Sequence, residues 1–503
     1  MLPTSVIGLI VAVSVLVFLV LRTKVHVLIA MLIAACIAGI IGGLSVDDTI
    51  ATVSKGFGGT LGGIGIVIGL GVMMGAILEA SGAGESIAYN FIKWLGKKKE
   101  EAALAVTGYI VSIPIFVDSA LIILYPIAKS LSKTSNRSIL TLTVALAGGL
   151  VVAHHAIPPT PGPLGVAGIF GVDLASMLGF GLMIAAPCVM GIVWYARWLE
   201  KQFPEFIPTE HFSKSSEQLI NDHKEYIASK EYIASKEAKD LPSLSKSIAP
   251  IIIPILLILA KSVMGLLEGT FGFEGLTATT FGQFIAFIGS PTIALSIATL
   301  LAVYTLGNNL TKEEANEKME QGISTCGIIL LVTGAGGALG AVLRETGAGA
   351  EIANQVAGLP ISAVMIPFII ATLVRIIQGS GTVSMITAAS ISAPVLVNIP
   401  DVNLLFAATA ATMGSLFAGY FNDSLFHIVN RLMGVTEVKK QLIIWTIPTT
   451  IAWAIGGSLV MILNLFFGSH GSIFDPVLPL AVLLGCVAFT KSYSAKHVEL
   501  QEV

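Results

Sequence analysis

The chain has 503 residues, 54% hydrophobic and only 12% charged, with a net charge of −3. A soluble protein of this size would carry about 25% charged residues, so the composition excludes a water-soluble enzyme; the net charge itself says nothing about partners, and no nucleic-acid partner is expected. Cys36, Cys188, Cys326 and Cys486 all fall in apolar runs without paired spacing. That pattern excludes a disulfide framework or a zinc site and leaves them as small packed hydrophobes; neither a metal nor a cofactor is expected.

Apolar runs long enough to cross ~30 Å of hydrocarbon recur from end to end. The first, "SVIGLIVAVSVLVFLVL" (5–21), lacks a basic leader and a small-residue cleavage site, so it reads as a retained span. "VHVLIAMLIAACIAGIIGGL" (25–44) follows, and "LIIWTIPTTIAWAIGGSLVMIL" (442–463) comes near the end. The expected class is an all-α polytopic protein of the plasma (inner) membrane, with the lipid bilayer as its surroundings.

Lysine and arginine crowd cytoplasmic loops. Placing Arg22 and Lys24 inside puts the N-terminus outside. The chain returns inward through 60–80 to Lys93, Lys97, Lys98 and Lys99, and the next cluster is Lys129, Lys133 and Arg137. About 28 residues separate the two clusters, whereas two full spans need about 40. The segment 101–128 is therefore expected to be a re-entrant hairpin with its tip at "IPIFVDS" (113–119). A broken span at 138–171 leads outward, and 174–196 returns to Arg197 and Lys201. A polar linker at 201–246 is then cytoplasmic. It contains "KEYIAS" twice, at 224–229 and 230–235, as tolerant loops do. Spans follow at 247–267, 283–306 and 322–343. A second hairpin at 361–397 has its tip at "QGSGT" (378–382). A broken span at 402–433 and spans at 441–466 and 477–490 complete the chain, with Lys491 and Lys496 inside. The expectation is about 11 transmembrane helices plus two re-entrant hairpins. It leaves only Lys55 and Arg344, of 28 basic residues, in outer loops, and sets Lys261 and Arg375 at membrane depth.

"GAILEASGAGESIA" (75–88) matches "GAVLRETGAGAEIA" (340–353) at eight of fourteen positions, an offset of 265. The same offset brings Gly69 onto Gly334, Gly71 onto Gly336 and Gly149 onto Gly414. The repeat units are roughly 25–200, within a first half 1–200, and 283–466, within a second half 247–503. The lysine-bearing loops at 93–99 and 129–137 correspond to the uncharged "ANQVAGLP" and the lysine-free "PVLVNIPDVN". Equivalent loops are thus expected on opposite membrane faces, which makes the repeats inverted. Inverted repeats with paired hairpins and broken spans indicate a secondary transporter.

Four broken elements then supply the chemistry at the midplane. The first hairpin offers Asp118 and Ser119; the second offers Arg375, Gln378, Gly379, Ser380, Gly381 and Thr382. The first broken span, "VVAHHAIPPTPGPLG" (151–165), offers His154, His155 and Thr160. The second offers Asn422, Asp423, Ser424 and His427. Charges at membrane depth are costly and default to functional roles, and half-helix N-termini aim backbone N–H groups at an anion. Plainer roles stand beside these. Arg375 can pair with Asp118 or Asp423, His154 and His155 can be satisfied within the break, and Asn422 can cap a half-helix. Glu79, Glu345 and Arg344 read as interfacial, and "GFGGTLGGIGIVIGLG" (56–71) as close helix packing. An intramembrane hydrolase using His154, Asp118 and Ser380 lacks any supporting motif.

At "GFGGTLGGIGIVIGLGVMMGAILEASG" (56–82), "IPIFVDSALIILYPIA" (113–128), "PPTPGPLG" (158–165), "RIIQGSGTVSMITAA" (375–389) and "NDSLFHIV" (422–429), the chain resembles the gluconate permease (GntP) family of proton symporters, within the ion transporter superfamily. The family's pattern differs here at Val117, Ala120, Thr160 and Leu425-Phe426-His427. The resemblance implies proton-driven uptake of gluconate or a related sugar acid, or of D-serine. It also implies a homodimer whose transport domain moves as an elevator. Sodium coupling and export occur elsewhere in the superfamily.

On this reading Arg375 and the "GSGT" tip hold the substrate carboxylate, and Asn422, Thr382 and Ser119 bond its hydroxyls. Asp118, Ser424, Thr160 and Gln378 complete the expected substrate site. Asp118 or Asp423 is the candidate proton carrier, because burial favours a protonated carboxyl group. His154, His155 and His427 are the other candidates, since histidine titrates near pH ~6.5.

Overall fold

The computed structural model describes residues 3–95, 99–207, 241–271, 275–307, 310–351, 361–468 and 471–486. The tandem "KEYIAS", Lys97, Lys98, Lys491, Lys496 and the segment "ANQVAGLP" lie outside the described residues. Every regular element among them is helical.

Two apolar helices, α1 (Thr4–Arg22) and α2 (Val27–Ile41), lead into α3 (Val46–Ala80), which is 35 residues long. α3 starts where the Ser45 hydroxyl accepts the Asp48 N–H, with Asp47 and Asp48 at the positive end of the helix dipole. It ends at Gly82, whose φ of +74° suits a residue without Cβ. Then come α4 (Ala83–Leu95), α5 (Glu100–Val111), α6 (Val117–Ser135), α7 (Ile139–Ala156), α8 (Pro161–Phe170) and α9 (Leu174–Gln202).

The second half begins with α10 (Leu244–Phe271) and with α11 (Thr280–Ile288) and α12 (Pro291–Leu306), which are bent by 65° at their junction. The 34-residue α13 (Lys312–Glu345) starts in a capping box of Thr311 and Glu314 and ends before Gly347, at φ +73°. Then follow α14 (Met365–Gln378), α15 (Gly381–Leu396), α16 (Leu404–Gly414), α17 (Ser424–Leu432), α18 (Val438–Phe467) and α19 (Val477–Cys486).

By length and composition, six helical stretches among the described residues can cross a membrane, α7 and α8 together counting as one, or seven if the bent pair α11–α12 counts as another. The other apolar helices are shorter, because prolines, glycines and caps interrupt runs that look continuous in hydropathy. Lys55, expected in an outer loop, stands on α3, and Arg344 stands in the last turn of α13.

α3 and α13 pack antiparallel along their length. Gly322 approaches Val72 and Ala76, while at the far end Gly56 approaches Gly337 and Ala341. Small residues allow this closeness. The glycine string of α3 serves it only in part. Gly56 and Gly71 meet neighbours, but Gly58, Gly59, Gly62 and Gly63 have open space where a Cβ would stand.

Against this pair sit the broken elements. α7 forms their centre, with every residue from Leu140 to Ala153 buried. It ends at Ala156, before the cis Pro158–Pro159 bond, and α8 resumes with Pro161 at its first position. A buried carboxylate ties this region to its surroundings: Glu101 accepts from Arg197 Nε at 2.7 Å and faces Arg137 Nη2 at 3.1 Å. It holds two of the basic clusters at one end of the molecule. At Gly75 of α3, a Cβ would collide with the Pro114 carbonyl, in the break between α5 and α6. Gly75→Ala is expected to destabilise the fold by about 1–3 kcal/mol through overpacking. A lower unfolding temperature of the solubilised protein checks this, and an unchanged one refutes the contact.

Candidate functional site

The breaks converge on one cavity of about 860 Å³, within the range of small-molecule sites. Three helices present their N-termini to it: α6 through Asp118 and Ser119, α15 through Ser380, Gly381 and Thr382, and α17 through Asp423 and Ser424. The first N–H groups of a helix have no intrahelical acceptor. At α6 no side chain caps them. At α15 the Ser380 hydroxyl accepts only the Val383 N–H, at 3.4 Å.

Arg375 is in the last turn of α14, and its side chain is 3% exposed. Its Nη2 is 2.6 Å from Asp423 Oδ2, and its Nε donates to the Phe417 carbonyl at 3.4 Å. Of the two partners open to it by sequence, Arg375 therefore pairs with Asp423. The other Asp423 oxygen accepts the Leu425 N–H, so Asp423, rather than Asn422, caps α17. Asp118 is bonded to a neutral group: the Ser424 hydroxyl donates to it at 2.7 Å. That bond joins the tip of the first hairpin segment to the second broken element.

His154 and His155, in the last turn of α7, both line the cavity. The His155 ring lies against the second tip, where a Cβ on Gly381 would collide with Nε2. Gly379, at φ +80°, lies equally close to Asn422. Asn422 donates from Nδ2 to the Ile376 carbonyl at 3.1 Å, and Gln378 joins the same wall.

Two expected residues stand elsewhere. Thr160 does not line the main cavity; its hydroxyl is buried and bonded to the Ile157 carbonyl, because α8 starts one residue later. His427 is exposed outside the cavity, and its Nε2 is 2.9 Å from the Phe421 carbonyl. It stands about one helical turn beyond Ser424, and its ring is taken up by the Phe421 carbonyl instead of the cavity.

Other cavity residues escaped the sequence reading. Glu79, expected at an interface, lines the cavity with Gly75 and Ala76 on one face of α3. Lys318, Gln321 and Thr325 line it from α13 and are exposed, which marks the open side of the cavity. Their spacing of three and four residues was the available signal, since it gathers them on one helix face.

Residues 4–466 match the family described as GntP family permease. The chain is 58% identical over 490 residues to an uncharacterized permease of Haemophilus influenzae, covering 97% of this chain and 98% of that one. It is 30% identical to a gluconate permease of Bacillus subtilis, covering 90% and 97%. It is 29% identical to the Gnt-II system L-idonate transporter of Escherichia coli, again covering 90% and 97%. In fold it is similar to the crystal structure of the Alcanivorax borkumensis YdaH transporter, with a TM-score of 0.59 and 13% identity over 83% of this chain and 89% of that one. The family is one of transporters, which sets aside the hydrolase alternative. With its recurring apolar helices, its broken elements and a match that spans nearly its whole length, the chain belongs to the GntP permease family of multi-pass membrane transporters.

Proposed function

We propose that this protein is a secondary active transporter that takes up gluconate, or a related small hydroxylated organic acid, together with protons across the plasma membrane. The observation that carries this reading is the convergence of three helix N-termini and Arg375 on one cavity. The positive ends of helix dipoles stabilise a bound anion. The names of the Bacillus subtilis and Escherichia coli relatives point to sugar acids.

The contacts of α3 with α13 support two inverted repeats. Exchanging the helices at the offset of 265 turns Val72 and Ala76 into Gly337 and Ala341, and Gly322 into Phe57; Gly337 and Ala341 are met by Gly56, the residue next to Phe57. A contact that recurs within one residue under such an exchange supports a two-fold relation. In the elevator reading this pair is the fixed scaffold, the hairpin tips carry the substrate, and two copies form a dimer. The irregular backbone at the tips is tolerated because it lines a cavity. The cavity opens where α3 ends and α13 begins, the side that the basic loops make cytoplasmic.

We assign the proton to Asp118. Asp423 neutralises the buried Arg375, so protonating it would strand a cation. Among the described residues Asp118 forms no ion pair and accepts from the Ser424 hydroxyl, so it can gain a proton without that penalty. Proteoliposomes should accumulate labelled gluconate when an inward proton gradient is imposed. Asp118→Asn is expected to lower gradient-driven accumulation by about tenfold or more, since a one-unit loss of driving equilibrium is that large, while gluconate exchange at equal pH persists. Uptake indifferent to the proton gradient would remove the coupling; dependence on sodium alone would reassign it.

A further inference from the structure

We infer that His155 and Asn422 accept hydrogen bonds from hydroxyl groups of the substrate, so that the carrier requires a donor on the carbon beside the carboxylate and rejects acids that lack one. This deepens the function proposed above and rests on it for the seat of the carboxylate at the start of α15.

The evidence is the identity of the free atoms. His155 Nδ1 is 2.8 Å from the Val151 carbonyl. A carbonyl only accepts, so Nδ1 carries the proton, and Nε2 of the neutral ring is left as a bare acceptor. Nε2 is buried without a partner, in a residue only 6% exposed. One N–H of Asn422 Nδ2 is given to the Ile376 carbonyl, which orients the amide, and Oδ1 is buried and unpartnered. Both residues line the cavity, and both flank the second tip, Nε2 against Gly381 and the Asn422 amide against Gly379.

Buried acceptors without donors are the exception in a folded protein, and Gln378 Oε1 and His154 Nδ1 on the same cavity are unpartnered as well. A carboxylate cannot satisfy them, because it offers acceptors only. Hydroxyl or ammonium hydrogens can. Nε2 abuts the first residue of the 16-residue α15, whose opening N–H groups are the natural seat for a carboxylate. The group that reaches Nε2 is therefore the substituent on carbon 2. Gly381 lies against Nε2 and Gly379 against the Asn422 backbone carbonyl, and a tip without side chains lets a ligand approach both residues closely. His155 thus becomes a specificity residue.

The full-length carrier in proteoliposomes provides the test, with uptake of labelled D-gluconate competed by D-gluconate, 2-deoxy-D-gluconate or succinate. Wild-type protein should prefer D-gluconate over the 2-deoxy acid by about tenfold or more, and succinate should not compete. In His155→Ala, with the ring-sized His155→Phe as the second variant if the first does not fold, that preference should fall to within about threefold. Equal competition by the 2-deoxy acid on wild-type protein overturns the inference. So does an undiminished preference in both folded variants, since an ordered water would then satisfy these atoms. Absence of any gluconate uptake is a separate result and removes the proposed substrate instead. Thermal shifts then decide the present point: stabilisation by succinate, with none by D-serine or 2-hydroxy acids, overturns it.

Discussion

Asp423→Ala is expected to destabilise the protein by about 3–5 kcal/mol, because it leaves a buried guanidinium without its counter-charge. Arg375 is 3% exposed, and its other contact is a single carbonyl. The substitution also removes the cap of α17, but that share can be separated. Asp423→Asn keeps an oxygen for the Leu425 N–H and loses only the charge, so it should remain nearly as destabilising. Combining Asp423→Asn with Arg375→Gln removes both charges and should recover most of the loss in unfolding temperature. Uptake should stay low in the double variant, because the N-termini would have lost the cation beside them. Thermal unfolding of the purified carrier and proteoliposome uptake check the two parts. A single-variant loss of under about 1 kcal/mol would mean that the pair behaves as an exposed one.

Gly381→Ala is the second large effect. The new methyl would overlap His155 Nε2. The ring cannot simply swing aside, since Nδ1 is held on Val151 and the residue is buried. The tip must move instead, at about 1–3 kcal/mol for overpacking. The tip also carries the N-terminus of α15, so uptake should fall far more than stability does. His155→Ala in the same chain opens the space again. The two substitutions should therefore be non-additive in unfolding free energy, with a coupling of about 1 kcal/mol or more. Additive losses would show that the ring and the tip do not touch.

The breaks were legible because their causes are local. A cluster of prolines breaks a helix, whereas single ones such as Pro126 in α6 and Pro187 in α9 are tolerated, and glycine before a polar N-cap ends one. "AIPPTPGP" thus marks the gap between α7 and α8, and "QGSG" marks the gap between α14 and α15. Thr160 stands outside the main cavity for a related reason. Its place in the break was evident, but the carbonyl that takes its hydroxyl depends on how the chain turns there. Glu79 was taken for an interfacial residue because α3 looked like a span ending near it. The helix instead carries it along the cavity wall.

By itself the sequence determined that the protein crosses a membrane, where its helices break, and that a fourteen-residue stretch recurs at an offset of 265, since hydrophobic length, helix-breaking residues and self-similarity are properties of the chain alone. Only the tertiary structure decided the partners. Arg375 joins Asp423 across 48 residues, and Asp118 joins Ser424 across 306. His155 meets Gly381, and Lys318 faces the cavity. Such pairings depend on how distant helices pack, because a buried polar group takes whichever partner the packing brings within reach, and no local spacing records that choice.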